Sequence, residues 1–205
     1  MTSVTLPDVA VAVTKGERTR QRLLDIAVRR FADGGFQRTS VSAIAREARL
    51  TQAAVYAYFD NKEDLFFAAV DLDAAGVIAD AQAQVDPGAP IHEQLPALVI
   101  HFVEALDHHP LARRVLAGQE PEVTGRLIQL PALEQITGDL AEQIDAAQRA
   151  GDLRPAVDPA ALADGLQTFV LSLLMGVVQV DVADEDRRVE GVSALLDAIL
   201  KPLPR

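Results

Sequence analysis

The sequence contains no cysteine and no tryptophan, and aromatic residues make up only 4% of its 205 positions. The absence of cysteine excludes disulfides, thiolate metal ligands and a thiol nucleophile. A phosphate-binding glycine loop, a nucleophile elbow and the paired histidines of metal-dependent hydrolases are also missing. We therefore predict that the protein is not an enzyme and that it has no catalytic residue, no cofactor and no metal.

Long hydrophobic runs are lacking as well. The longest apolar stretch, residues 166–180, is interrupted by Gln167 and Gln179 and falls short of the ~18 residues that a membrane span requires. The N-terminus shows no signal pattern. These observations predict a soluble, cytoplasmic protein with no membrane partner.

The alternation of apolar and polar residues that marks β-strands is nearly absent. Long segments instead repeat apolar residues at steps of three and four, as in Ile91, Leu95, Leu98, Phe102 and Leu106. With 49% hydrophobic residues the chain can bury a sizeable core. We predict an all-α fold, divided into two linked helical domains.

The segment 39–65 has the apolar spacing of two short helices that cross steeply. Such a pair needs a small residue where the backbones approach, and Ala45 supplies it. Ser40 and Thr51 each precede a helical run, where a hydroxyl can accept from an unpaired backbone N–H. This pattern is typical of a helix-turn-helix that enters the major groove of DNA, although an ordinary helical hairpin shares it. The expected buried seam is Ile44, Ala45, Ala48, Leu50, Val55 and Tyr58.

The segments on either side favour the DNA-binding interpretation. Upstream, an amphipathic helix ends at the Gly34–Gly35 pair, and downstream Asp60 or Asn61 can cap a further helix. The run from Arg20 to Leu65 resembles the N-terminal DNA-binding domain of TetR-type transcriptional regulators. The matching motifs are Gly35-Phe36, Ser40-Val41 followed by Ile44-Ala45, and Tyr56 followed by Tyr58-Phe59 and Lys62.

This resemblance implies a three-helix helix-turn-helix domain followed by a C-terminal helical domain for ligand binding and dimerisation. We expect a disordered arm over residues 1–16, the DNA-binding domain over 17–63 and the effector and dimerisation domain over 64–205. The implied function is a transcriptional regulator, most simply a repressor that a small effector releases from a palindromic operator. A DNA-binding activator or architectural protein without an effector is the alternative.

Departures from the family pattern fall in the turn and in the second helix, which would contact the DNA bases. The family's usual turn glycine is Arg49 here, where a left-handed conformation costs on the order of 1 kcal/mol. Positions 53, 54 and 57 of the second helix are alanine here where the family often has other residues, so Gln52 is the one long polar side chain left to read bases. We predict that Gln52 contacts an adenine edge and that Ala53 or Ala54 touches a thymine methyl. The resemblance implies phosphate contacts for Ser40, Tyr56 and Lys62. The predicted DNA-binding residues are Ser40, Thr51, Gln52, Ala53, Tyr56, Ala57 and Lys62; Arg18, Arg20 and Arg22 either reach the DNA or form an exposed basic helix start.

Charge is unevenly distributed over the chain, whose net charge is −11. Residues 1–65 hold ten Lys and Arg against eight Asp and Glu, whereas residues 66–205 hold nine against twenty-two. An acidic body repels phosphate, which confines DNA contact to the N-terminal part and makes the affinity fall with salt.

The helix predicted after Asp158 and Pro159 is apolar almost all round, so more than one face must be covered. The resemblance implies that the last two helices pair with those of a second chain, and a homodimer would present two recognition helices to a palindromic operator. A buried central helix in a monomer is the alternative. The predicted interface residues are Leu166, Val170, Leu173, Leu174, Val177, Val192, Leu195, Leu196 and Ile199.

The resemblance also implies a small-molecule effector among the C-terminal helices. Seven of the nine aromatic residues lie between positions 31 and 67, so we expect a mainly aliphatic pocket and an apolar effector. His101, Glu104 and His108 have a spacing that permits a metal, but structural histidines explain it more simply. The predicted ligand-binding residues, for each of which ordinary core packing is the alternative, are His101, Phe102, Gln167, Phe169 and Met175.

Overall fold

The computed structural model describes residues 14–153 and 158–179, together with 191, 194 and 195. Over these residues the chain is helical and has no strand, which confirms the predicted all-α fold. The helices are α1 (Lys15–Arg38), α2 (Val41–Glu47), α3 (Gln52–Val55), α4 (Lys62–Gln82), α5 (Ile91–Ala105), α6 (Pro110–Leu116), α7 (Pro121–Thr124), α8 (Pro131–Ala150) and α9 (Pro159–Gln179), with 3₁₀ turns at Leu106–His108 and Leu127–Gln129.

Residues 14–63, called the head below, pack with the second turn of α4 around a cluster of phenylalanines. The Phe31 and Phe66 ring centroids are 4.8 Å apart, and those of Phe36 and Phe66 are 5.1 Å apart. Helix α1 kinks at Gly35, whose φ of 69° is left-handed. The Gly-Gly pair therefore interrupts the helix, as the sequence predicts, and Gly35 is the residue at the break.

Local side-chain caps fix where the helices begin. Ser40, Thr51, Asn61 and Asp158 each accept a hydrogen bond from the backbone N–H three residues later. The cap of α4 is Asn61 rather than Asp60. Thr14 caps α1 in the same way, so this helix begins before residue 17, the predicted domain start. Residues 1–13 of the predicted arm lie outside the described residues.

Helix α4 connects the head to the body, the name used here for the described residues from 64 onwards. Helices α6 and α8 begin with proline and have no side-chain cap from their own N-cap residues. Two aspartates of α4 accept from them instead: Asp73 from the Ala112 N–H at 2.7 Å and Asp71 from the Ala132 N–H at 2.8 Å. The expected boundary at residues 63 and 64 falls within the first turn of α4, so head and body share a continuous helix.

The apolar stripe of α9 faces its own chain. Leu174 is 5% exposed, and Leu166 and Val170 line an internal cavity. These three residues therefore pack against their own chain, and their contact with a second chain stays a prediction. Spacing gives a helix its apolar stripe but not the partner that covers it. Leu173 and Val177 are half-buried and Leu195 is 49% exposed, while Val192, Leu196 and Ile199 lie outside the described residues.

Helix α9 has 21 residues and, by length and composition alone, could cross a membrane. The prediction that this part of the chain is too short to span a membrane is therefore wrong. Its contacts are those of a body helix. Gln167 Nε2 donates to the Leu133 carbonyl at 3.3 Å, and Gln179 Nε2 donates to the Leu116 carbonyl at 2.7 Å. The two glutamines that interrupt the apolar run thus tie α9 to α8 and α6.

Candidate nucleic-acid interface and effector cavity

Helices α2 and α3 form the predicted helix-turn-helix around a buried seam. Ile44 and Val55 are fully buried, Ala45 is 2% exposed where the helices approach, and Leu50 and Tyr58 are half-buried. The Leu50 N–H donates to the Ala45 carbonyl at 2.8 Å and closes the turn. The seam leaves the N-terminal side of α3 free to meet a ligand.

Arg49 has a φ of 55°, the left-handed conformation expected for a position where glycine is usual. Among the described residues it is the one non-glycine with positive φ. The turn therefore keeps its geometry with arginine in place, at the cost of local backbone strain.

Most of the predicted DNA-binding residues lie on the exposed side of this unit. Tyr56 is 42% exposed, and its hydroxyl lies 3.4 Å from Gln52 Nε2, within hydrogen-bond reach. The hydroxyl of Ser40 accepts from the Ala43 N–H and lies 3.2 Å from that of Ser42. A polar surface thus surrounds the start of α3. Its exposed members among the predicted residues are Ser40, Thr51, Gln52, Ala53, Tyr56 and Ala57.

Lys62 differs from the other members of the predicted set because it is half-buried. Its Nζ lies 4.2 Å from the centroid of the Phe36 ring, a cation-π geometry. Arg20 similarly lies over the Phe59 ring, 5.1 Å from the centroid. Both cations are therefore anchored on the head.

Other charged groups of the head are paired or exposed. Glu47 contacts Arg30 at 2.6 Å and Arg29 at 3.1 Å, and the hydrogen bond from Arg30, followed by that from Arg29, lowers the pKa of the Glu47 carboxyl. Arg46 and Arg49 are exposed at the end of α2 and in the turn. Arg46 and Arg49 are not among the predicted DNA contacts, although their positions in the sequence, outside the apolar seam, would have indicated that they are exposed cations next to α3.

The body encloses a cavity of about 310 Å³ between α4, α5, α6, α8 and α9. Its walls are mainly aliphatic, as expected from the clustering of aromatics in the head. Phe102 and Gln167 line it, as predicted, whereas Phe169 and Met175 pack elsewhere around α9. His101 is outside the lining, and its Nδ1 lies 2.8 Å from Glu104 Oε2.

The histidine cluster considered for a metal does not assemble. His108 is exposed in the 3₁₀ turn after α5, and the pairing of His101 involves Glu104 alone. Within the described ranges no group of three or more histidine, aspartate or glutamate side chains could hold a metal ion.

Helix α6 lies between the cavity and the head. Val115 and Leu116 line the cavity, while Arg114 pairs with Glu120. Glu120 is 2% exposed, and its Oε2 accepts from the Phe36 N–H at 2.9 Å. A Cβ added at Gly35 would lie 2.6 Å from both Arg114 and Glu120, so only glycine allows this close contact between head and body.

The sequence profile described as "Bacterial regulatory proteins, tetR family" matches residues 23–69, which include the helix-turn-helix. "HTH-type transcriptional regulator AcrR" of Shigella flexneri is 34% identical over 94 residues, covering 44% of this chain and 43% of that protein. "HTH-type transcriptional repressor SCO4008" of Streptomyces coelicolor is 29% identical over 148 residues, covering 60% of this chain and 76% of that protein. The chain thus spans less than half the length of the first relative.

The fold is similar to that of solved regulators over most of the chain. The fatty acid degradation regulator FadR from Bacillus halodurans superposes with a TM-score of 0.66 at 21% sequence identity, covering 87% of this chain and 94% of that one. At this identity the likeness concerns the fold.

Proposed function

We propose that this chain, whose residues 23–69 match the profile of TetR-type regulators, represses transcription from a palindromic operator and that a small, mainly apolar effector releases it. The observation that carries the proposal is the combination of an exposed polar surface on a capped helix-turn-helix with a separate apolar cavity in the body. Residues 17–63 bind DNA and residues 64–205 bind the effector and a second chain. The role implies a cytoplasmic location.

Gln52 is the proposed base-reading residue. It lies in the first position of α3, exposed and beside Tyr56, so a carboxamide and a phenol meet the DNA together. A carboxamide pairs with the N6 and N7 of adenine, and this contact is worth about 1–3 kcal/mol of discrimination. Ala53 and Ala57 add methyl contacts, and Ser40, Thr51 and Lys62 hold the phosphates.

The test begins with genomic SELEX on the purified protein, since a recovered palindrome gives both the target and the symmetry. We expect Gln52→Ala to lose affinity mainly for operators that carry adenine at one position per half-site. Gln84→Ala, which changes an exposed glutamine outside the head, is the control. A loss of equal size for every base would contradict base reading by Gln52, and no preference for any duplex over random competitor would overturn the function.

Dimerisation is proposed to use the outward side of α9. This side carries the exposed small residues Gly165, Thr168 and Ser172, opposite the stripe that packs on the body. Small residues let two helices approach closely. We expect a dimer by light scattering at micromolar concentration and a shift towards monomer for Thr168→Arg, but not for Gln84→Arg in the exposed turn after α4. A monomeric wild type would contradict the proposal.

The alternative is a DNA-binding activator or architectural protein without an effector. An operator-reporter assay decides the direction of regulation, since deletion of a repressor raises expression and deletion of an activator lowers it. Release from DNA by apolar compounds separates the effector-controlled regulator from the architectural protein. If no compound that binds the cavity changes operator affinity, the architectural alternative stands.

A further inference from the structure

We propose that the cavity takes an elongated aliphatic molecule with a cationic end, and that Asp139 at the cavity rim holds that end. The inference rests on the proposed effector function and specifies the chemical class of the effector. Shape, hydrogen-bonding capacity and rim charge each contribute to it.

The cavity extends along α4. It follows α4 from Val70 to Gln82, which is about 18 Å at the rise of an α-helix. An extended hydrocarbon chain can lie along this apolar wall and contact it over its whole length.

Thr137 and Gln167, two polar side chains of the cavity wall, each donate a hydrogen bond to the same backbone carbonyl. The Thr137 hydroxyl donates to the Leu133 carbonyl at 2.8 Å, and Gln167 Nε2 donates to the same carbonyl at 3.3 Å. Thr137 therefore offers the cavity only the lone pairs of its oxygen, whereas Gln167 keeps both its Oε1 acceptor and the second N–H of Nε2. Thr137 therefore favours a ligand that donates hydrogen bonds, and Gln167 can pair with such a ligand through its Oε1.

The rim is where lining residues are exposed to solvent. Asp139 and Gln143 lie one turn apart on α8 and so share a face, with Gln82 of α4 also exposed in the lining. Among the described lining residues, Asp139 is the one with a full charge. A cationic end at the rim gains a charge-assisted hydrogen bond there, whereas a carboxylate would be repelled. The acidic body also attracts cations and raises their local concentration.

The test compares three probes that share a twelve-carbon chain: dodecylamine, 1-dodecanol and dodecanoate. Binding to the purified full chain is measured at neutral pH, below micelle formation, by isothermal titration calorimetry. We expect dodecylamine to bind about tenfold more tightly than dodecanoate, with dodecanol between them. Equal or tighter binding of dodecanoate would overturn the proposal, as would no binding of any probe.

Two variants separate the rim contact from the general negative charge. Asp139→Asn should weaken dodecylamine about fivefold and leave dodecanol unchanged. Glu142→Gln removes an exposed carboxylate from the same helix but outside the lining, and it should leave all three affinities unchanged. If both variants weaken dodecylamine equally, the attraction belongs to the acidic body and the role of Asp139 is refuted.

A third variant tests whether the hydrocarbon chain of the probes lies in the cavity. Ala74→Leu adds bulk inside the cavity and should weaken all three probes. Operator binding is measured in parallel, with dodecylamine added. Tight binding of the amine without release from DNA would support the ligand class while refuting effector control, so the two proposals fail separately.

Discussion

Arg49 is the residue whose own conformation conflicts most with its side chain. Its φ of 55° lies in a region that disfavours any residue with a Cβ, and the buried seam of α2 and α3 holds it there. The strain is local, so a substitution at this position can isolate it.

We expect Arg49→Gly to be more stable than Arg49→Ala by about 0.5–1 kcal/mol, because glycine relieves the left-handed strain at some cost in unfolded-state entropy. Both variants lose the same charge, so the difference reports only the backbone. Urea unfolding measures it. A glycine variant no more stable than the alanine variant would mean that the turn is unstrained.

Lys62 is a residue whose role depends on DNA. Its ammonium lies on the Phe36 ring and is half-buried, so it is positioned before any phosphate arrives. If it contacts one phosphate, Lys62→Ala lowers the slope of log affinity against log salt by about one. Arg149→Ala, which removes a cation paired with Asp145 on the body, serves as the control. An unchanged slope would remove Lys62 from the interface.

At the scale of the element, the N-terminus of α6 is capped by a side chain of another helix, α4. Asp73 is 6% exposed and contacts both the Ala112 N–H and His109 Nδ1, whereas the half-buried Asp71 accepts from the Ala132 N–H at the start of α8. These carboxylates replace the local caps that α6 and α8 lack.

We expect Asp73→Ala to lower the free energy of unfolding by about 2 kcal/mol, since it leaves a buried N–H unpaired. Asp71→Ala should cost less because its site is more accessible to water. Chemical denaturation of the two variants gives the comparison. Equal costs would show that burial of the cap does not matter here.

The pairing of α1 with α2 through Glu47 has a defined pH dependence. Hydrogen bonds from Arg30 and then Arg29 lower the pKa of the Glu47 carboxyl, so its stabilising effect is complete above the ordinary glutamate pKa and is lost as the pH falls through the lowered value. Glu47→Gln should therefore reduce Tm near neutral pH and match the wild type in acid. A Tm difference that persists unchanged to low pH would contradict this assignment.

For the whole molecule, Glu120 is a buried polar group at the contact between head and body. Its carboxylate is buried, pairs with Arg114 of α6 and accepts from the Phe36 N–H beside the kink of α1. Residues of α6 on the other side line the cavity. In addition to the shared helix α4 and the common apolar core, a buried polar group therefore links the head to a cavity wall.

We expect Glu120→Ala to destabilise the protein by about 3 kcal/mol, because it leaves Arg114 and the Phe36 N–H without their buried acceptor. Glu120→Gln keeps an acceptor for the N–H but loses the charge, so its effect should be smaller. Denaturant unfolding followed by circular dichroism measures both. A wild-type stability for Glu120→Ala would show that head and body are held by apolar packing alone.

The sequence alone determined the features that depend on near neighbours. The caps at Ser40, Thr51 and Asp158 act over three residues, and the small Ala45 lies one turn from its own helix start, so spacing was enough to locate the helix-turn-helix. The charge imbalance between head and body could also be read directly. The matched family profile supports the same segment.

Only the tertiary structure decided which face of each body helix meets which neighbour. Apolar spacing shows that α9 has a stripe, but Leu166 and Val170 line the cavity because α8 and α5 cover them, while Phe169 and Met175 on the same helix pack outside it. The caps from Asp71 and Asp73 join residues 61 and 39 positions apart, and the Glu120 contact spans 84. Local periodicity carries no information about contacts between residues so far apart in the sequence, because the rotation of one helix against another is set by the packing of the whole core.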